Sequence, residues 1–362
     1  MRQLIALCAV SGLIACSGSD DGSSGNGGSA GTAASGGAQS GGSKNGGAAG
    51  MTNGGSGISG GSSAGSGNGG AGATANGGSE SGGTQNGGAQ NGGAQNGGSG
   101  GSAGNSNTCK RGVAYGYHSE ADMRALSSGV TWWYNWAFEP DQGVRSSYAS
   151  IGLEYVPMVW GAGVSTSEVQ SKAPSDSHAL LGFNEPNFGE QANLSAAQAA
   201  ALWPDVQAVA DARGFKLLSP AVNFCGGNCQ ETDPFKYLDD FFSACTNCRV
   251  DAIAVHIYVG CAGENGNHAQ WMINHLKTYE SRFSQPIWLT EFACSDAQNA
   301  EEQRAFLVDA VTYLESDPRI ERYAWFAGRA NNVPHVDLLG ADGQLTALGQ
   351  AYVDAPRACD SQ

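Results

Sequence analysis

The sequence predicts a (β/α)8 barrel, an α/β fold, and three observations carry that reading. Eight short apolar runs recur within residues 108–362, stretches with helical signals fall between them, and no fingerprint of a rival fold follows the first run. The runs are 112–117, 130–136, 154–160, 179–183, 216–219, 252–258, 287–290 and 322–326. Several are almost continuously apolar, as expected for parallel strands covered on both faces.

The helices between them announce themselves locally. Ser119-x-x-Asp122 and Ser195-x-x-Gln198 have the form of capping boxes, and the second opens a helix that ends at Gly214. Within 301–315, Phe306, Leu307, Ala310, Val311 and Leu314 recur at helical spacing. The second and third helices, over 146–152 and 167–172, have the shortest patterns. An open doubly wound sheet would call for a GxGxxG after the first strand, and none stands there. No nucleophile elbow, HExxH or P-loop occurs either.

The barrel occupies only part of the 362 residues. Residues 1–16 carry Arg2, an apolar stretch from Leu4 to Ala15, and the string Leu13-Ile14-Ala15-Cys16. A segment this short reads as an export signal rather than a membrane span, which needs roughly 18–20 apolar residues. The cysteine after Leu-Ile-Ala resembles the lipidation site of a bacterial lipoprotein, so Cys16 is expected to become a lipid-bearing N-terminus. The protein is then expected to be exported and held at a membrane only by that anchor.

Residues 17–107 are almost wholly Gly, Ser, Asn, Ala, Gln and Thr, with NGGAQ in tandem at Asn86 and Asn91. Such a segment buries too little apolar surface to offset the entropy of ordering it, which predicts a flexible tether. A Gly-rich coil of about 90 residues spans roughly 50 Å. Residues 108–362 hold all eight tryptophans, and about 255 residues suits one barrel domain. The formal net charge of −15 argues against nucleic acid as a partner.

Eight cysteines fall in the barrel region: Cys109, Cys225, Cys229, Cys245, Cys248, Cys261, Cys294 and Cys359. An even set in an exported chain reads as four disulfides. Cys225-x3-Cys229 and Cys245-x2-Cys248 also have zinc-like spacing, a reading that an oxidising compartment disfavours. Spacing does not fix connectivity. The expectation is that Cys109 joins Cys359 and Cys261 joins Cys294, with the two short-range pairs closing on themselves.

Two of the apolar runs end in a single glutamate. Glu185 lies in GFNEPN (182–187) after the fourth run, and Glu291 in IWLTEFA (287–293) at the seventh. In a barrel both would point into the C-terminal mouth. Paired carboxylates there suit glycosidic cleavage, in which one attacks as an anion and the other gives a proton to the leaving oxygen.

The chain resembles glycoside hydrolase family 128, the β-1,3-glucanases, within the larger (β/α)8 glycosidase clan. The pieces that carry the resemblance are GVAYGY (112–117), WWYNW (132–136), GFNEPN, SPAV (219–222), VHIY (255–258), WLTEF (288–292) and YAWF (323–326), in that order. The resemblance implies Glu185 as acid/base and Glu291 as nucleophile, without a cofactor or metal. Asn184 is expected at the sugar 2-hydroxyl, Tyr258 on the nucleophile, and His256 in the same pocket. Trp325 is expected to form the floor under the reacting sugar. Sugar faces pack on aromatic rings, which makes Trp132, Trp133, Trp136 and Trp160 candidates for further units. Strand alternation puts Trp132, Tyr134 and Trp136 on one face and Trp133 on the other. Trp136 and Trp160, near strand ends, are the expected sugar contacts, while Trp203, Trp271 and Trp288 look structural. The functional expectation is a monomeric, lipid-anchored, retaining enzyme cleaving β-1,3-glucan internally. The alternatives are a glucan-binding surface protein without turnover, or a hydrolase of the same clan acting on another β-glycan or from chain ends.

Overall fold

The computed structural model describes residues 109–116 and 118–361. The expected export signal with Cys16 and the expected tether over 17–107 lie outside these residues. The chain alternates strand and helix from β1 (Arg111–Ala114), α1 (Glu120–Leu126), β2 (Trp132–Tyr134) and α2 (Tyr148–Ile151) to β3 (Glu154–Tyr155) and α3 (Thr166–Lys172). It continues through β4 (Ala179–Leu180), α4 (Ala196–Arg213), β5 (Lys216–Leu217), α5 (Pro234–Ala244) and β6 (Ile253–Val259). The last elements are α6 (Gln270–Arg282), β7 (Ile287–Cys294), α7 (Ala300–Ser316), β8 (Ile320–Phe326) and α8 (Ala347–Asp354).

All strand pairs are parallel, in ladders ordered β3-β2-β1-β8-β7-β6 and β4-β5. Single bridges close the ring: Met158 to Leu181 joins the β3 and β4 sides, and Leu218 to Ala252 and Val222 to Val255 join the β5 and β6 sides. The fold is the expected (β/α)8 barrel. Its strands are uneven, however. The runs at 154–160, 179–183 and 216–219 yield only two-residue ladders, whereas β7 runs on to Cys294. Pro157 and Pro220 lack the N–H a ladder needs and fall just past β3 and β5.

The expected capping boxes form at both sites: Ser119 and Ser195 accept from the backbone of Asp122 and Gln198, whose side chains reach back. Gly214 ends α4 in the left-handed region at φ 66°, where glycine carries no steric cost. Every residue of β6 and β7 is buried, as their apolar sequences require. Inside the lower barrel the Trp132 indole lies 5.3 Å from that of Trp288, with the Arg322 guanidinium 4.7 Å from the Trp288 ring. A Cβ on Gly112 would stand 2.3 Å from Trp132, so this position must be glycine for the indole to fit. Among the described residues no helix is long and apolar enough to cross a membrane.

All four expected disulfides form: Cys109–Cys359, Cys225–Cys229, Cys245–Cys248 and Cys261–Cys294. The first spans 250 residues of chain and ties the two ends of the barrel. Beside it Arg111, wholly buried, donates to Tyr323, the Tyr352 carbonyl and Glu315, joining β1 to β8, α8 and α7. Closing so long a loop restricts the unfolded chain by roughly 2–4 kcal/mol. Replacing Cys109 and Cys359 together by alanine is expected to lower the melting temperature by roughly 5–15 °C in calorimetry, because one kcal/mol moves a domain of this size a few degrees.

Candidate active site

The β6–β7 register positions the site. Leu289 pairs with Val255 and Glu291 with His256, leaving Thr290 as an extra residue on β7. The same excess faces β8, where Leu289 pairs with Tyr323 and Phe292 with Trp325. A bulge of this kind re-aims the side chain beside it, here Glu291. Gln303 on α7 then pins the end of β7 by bonding both the N–H and the carbonyl of Cys294.

Glu185 reaches the same place from the loop after β4. Its backbone sits at φ 37°, a region disfavoured for any side chain and more so before a proline. The Glu185 N–H bonds the Ala221 carbonyl at 2.8 Å, which ties the turn to the β5 side. Trp136, just past β2, is likewise held at φ 59°. Strained positions of this sort persist where the surroundings over-determine them, and they gather at functional sites.

The three side chains Glu185, His256 and Glu291 bring one donor atom each to within 4.8 Å of one another, and all three are buried. His256 Nδ1 lies 3.1 Å from Glu185 Oε1 and 3.5 Å from Glu291 Oε2. A cation could find three ligands here by count. The facing atoms already serve one another, so the trio reads as a proton-sharing cluster. Asn223 donates to Glu185 Oε1 at 3.2 Å. Glu291 accepts from Tyr134 at 2.9 Å and Trp136 at 2.8 Å on Oε1, and from Tyr258 at 2.6 Å on Oε2. Since β2 and β7 are not neighbours, the Tyr134 and Trp136 contacts cross the barrel interior.

These contacts set the charges. Burial raises the Glu291 carboxyl above its ordinary value; the His256 charge pulls it back, Glu185 adds to the rise, and the Tyr258 and Trp136 donors oppose it. Burial pulls the His256 imidazole down, yet the charges of Glu291 and Glu185 and the Glu185 hydrogen bond outweigh it and raise it overall. Burial, followed by the Glu291 charge, holds the phenols of Tyr134 and Tyr258 well above their usual range, so both remain protonated donors.

A cavity of about 260 Å³ opens over the pair, lined by Trp136, Trp160, Asn184, Glu185, Gln191, Glu291, Phe326 and Asn332. Asn184 donates to Gln191 at 3.2 Å, and its buried Oδ1 has no partner among the described residues. Glu185, Glu291, His256, Tyr258, Asn184, Trp136 and Trp160 therefore gather at one mouth, while Cys16 lies outside the described residues.

Trp325 requires a correction. It does not face the mouth: wholly buried, it donates to the Val336 carbonyl and packs on Phe292, Phe306 and Tyr352, on the helix side of β8. Strand alternation gives the inner position to its neighbour Phe326, which lines the cavity instead. Trp132 and Trp133 are also core, the first inside the lower barrel and the second against Tyr155 and Tyr148 outside it. Reading from sequence missed Tyr134, Asn223, Gln191 and Asn332. Tyr134 had a signal, because alternation put it on the face of Trp136; Asn223 directly follows the SPAV string.

Residues 112–352 match the family model described as a glycosyl hydrolase catalytic core. A solved structure from Sorangium cellulosum, a glycoside hydrolase family 128 subgroup II endo-β-1,3-glucanase, is 64% identical with a TM-score of 0.68, covering 69% of this chain and 99% of its own. A subgroup I endo-β-1,3-glucanase from Amycolatopsis mediterranei, solved with laminaritriose, is 31% identical with a TM-score of 0.57, covering 69% of this chain and 100% of its own. Alkali-sensitive linkage protein 1 of Schizosaccharomyces pombe is 30% identical over 259 residues, which is 67% of this chain. The match spans 44% of that curated relative's length.

The placement of the tryptophans has a simple check. Trp325→Phe leaves a void in the core and an unpaired carbonyl, and is expected to lower the melting temperature by roughly 3–10 °C. Trp160→Phe at the cavity wall is expected to shift it by less than about 2 °C in the same calorimetric series.

Proposed function

The chain belongs to glycoside hydrolase family 128, and from that membership we propose that it is a retaining endo-β-1,3-glucanase with Glu185 as acid/base and Glu291 as nucleophile. The observation that carries the reading is the convergence of two buried carboxylates, from the β4 and β7 sides, at one cavity. One oxygen of each carboxylate lies within 4.8 Å of the other, a closeness that favours the roughly 5–5.5 Å carboxyl separation of retention over the 6.5–9.5 Å of inversion. The laminaritriose bound by the Amycolatopsis relative supports a β-1,3-glucan as substrate.

In this reading Glu291 attacks the anomeric carbon while Glu185 protonates the departing oxygen. Water then attacks the sugar ester, losing its proton to Glu185. Asn184 Oδ1, buried and unpartnered, would accept from the sugar 2-hydroxyl, a contact that strengthens in the transition state. Trp136 and Trp160 would pack on sugar faces. His256 between the carboxylates would buffer their charge as the proton leaves and returns. The proposal includes export as a monomer anchored through lipidated Cys16; mass spectrometry finding the mature N-terminus elsewhere would remove the anchor.

The test is product analysis of the full chain on laminarin, curdlan, barley mixed-linkage glucan, cellulose and xylan. A ladder of short oligosaccharides from laminarin or curdlan is expected, with the β-anomer formed first in NMR. Glu185→Gln and Glu291→Gln are each expected to lose roughly 100- to 10,000-fold in rate. Full turnover in Glu291→Gln, or first release of the α-anomer, overturns the mechanism. Binding without products favours a glucan-binding surface protein, and cleavage of another polymer replaces the substrate.

The pH profile provides a second check. Glu291 must be ionised to attack, so activity is lost as pH falls through its pKa. Because that pKa is raised, the acid limb of kcat/KM should lie above that of an ordinary carboxyl. Tyr258→Phe removes a donor to the anion, and is expected to move the limb up by roughly one pH unit and lower kcat/KM.

A further inference from the structure

The two oxygens of Glu291 have different surroundings. Oε1 accepts two hydrogen bonds, from the Tyr134 hydroxyl and the Trp136 indole N–H, at 2.9 and 2.8 Å. The Tyr134 hydroxyl also lies 3.2 Å from the Thr290 carbonyl. Oε2 accepts one, from Tyr258, and otherwise faces His256 on the side toward Glu185. Oε1 has both lone pairs engaged, whereas Oε2 keeps one for bonding.

Resting on the retaining reading above, we propose that Oε2 is the attacking oxygen, and that the two Oε1 donors, Tyr134 as a positioning residue and the Trp136 indole N–H beside its sugar contact, act chiefly to release the sugar from Glu291. In the first step an Oε2 electron pair forms the bond to the anomeric carbon, the glycosidic bond breaks, and the leaving oxygen takes the Glu185 proton. Glu291 gives up charge, so donors to Oε1 lose strength as that step proceeds. In the resulting ester Oε1 is the carbonyl oxygen. In the second step water bonds the anomeric carbon and passes a proton to Glu185, while the carbon–Oε2 pair returns to the carboxylate. Charge reappears on Oε1, where two preorganised donors wait, and hydrogen bonds that strengthen toward a transition state accelerate it.

Tyr134 is wholly buried and absent from the cavity wall, so its hydroxyl can be removed without touching a sugar contact. The experiment labels the full chain with a 2-deoxy-2-fluoro laminaribiosyl fluoride and follows recovery of activity. Wild type should carry the label on Glu291. In Tyr134→Phe the labelled enzyme should recover roughly 10- to 100-fold more slowly. With dinitrophenyl laminaribioside, whose leaving group makes the first step fast, kcat and KM measured at a pH above the acid limb should fall together and kcat/KM should hold. A merely structural role would lower kcat/KM as well, and that result overturns the inference, as does recovery at the wild-type rate. Trp136→Phe removes the other Oε1 donor while keeping an aromatic ring against the sugar, so it should slow recovery in the same direction if Tyr134→Phe does not fold, and recovery at the wild-type rate there overturns the idea too. Absence of label from wild-type Glu291 sinks the retaining reading itself, a failure distinct from the others.

Discussion

Two carboxylates share one cavity at the mouth of the barrel, with Glu185 3% and Glu291 4% exposed. Burying like charges together is costly unless hydrogen bonds and an opposite charge offset the lost hydration. The surroundings supply both. Five neighbours reach the pair: Asn223 and His256 on Glu185, and Tyr134, Trp136 and Tyr258 on Glu291. They come from β2 and the residues just past it, from β6 and from the loop after β5, so the carboxylate pair couples segments that are far apart in the chain.

The strands around that pair are unequal in length. The strands that carry much of the site, β6 to β8, are seven or eight residues long and paired over most of that length apart from the Thr290 bulge, whereas β3, β4 and β5 pair over two residues each. Cys261–Cys294 joins the ends of β6 and β7 just beyond Tyr258 and Glu291. On the short-stranded side the Glu185 turn depends instead on loop contacts, including Asn187 bonding the carbonyls of Asn223 and Glu231. The left-handed backbone at Glu185 and Trp136 stores strain that the surrounding bonds hold in place.

Much of this was legible beforehand because it is local. Apolar runs of strand length, Ser-x-x-Asp and Ser-x-x-Gln boxes, and a glutamate at a strand end are written in a few consecutive residues each. Trp325 shows where local reading stops. Its neighbours Tyr323, Ala324 and Phe326 are all apolar or aromatic, so hydrophobicity could not tell the inner face of β8 from the outer one. Tyr134 shows the same limit from the other side. Its face was legible from alternation, but its partner lies 157 positions away across the barrel.

The sequence by itself determined the alternating strands and helices, the helix caps, the presence of two mouth-facing glutamates and the even cysteine set, since each follows from the period or spacing of nearby residues. Only the tertiary structure decided the bulge at Thr290, the left-handed turn at Glu185, the inward choice of Phe326 over Trp325 and the unequal hydrogen bonding of the two Glu291 oxygens. Those features come from closing the barrel. Closure fixes the registers of β6, β7 and β8 and brings β2 opposite β7, and no window of consecutive residues carries that information.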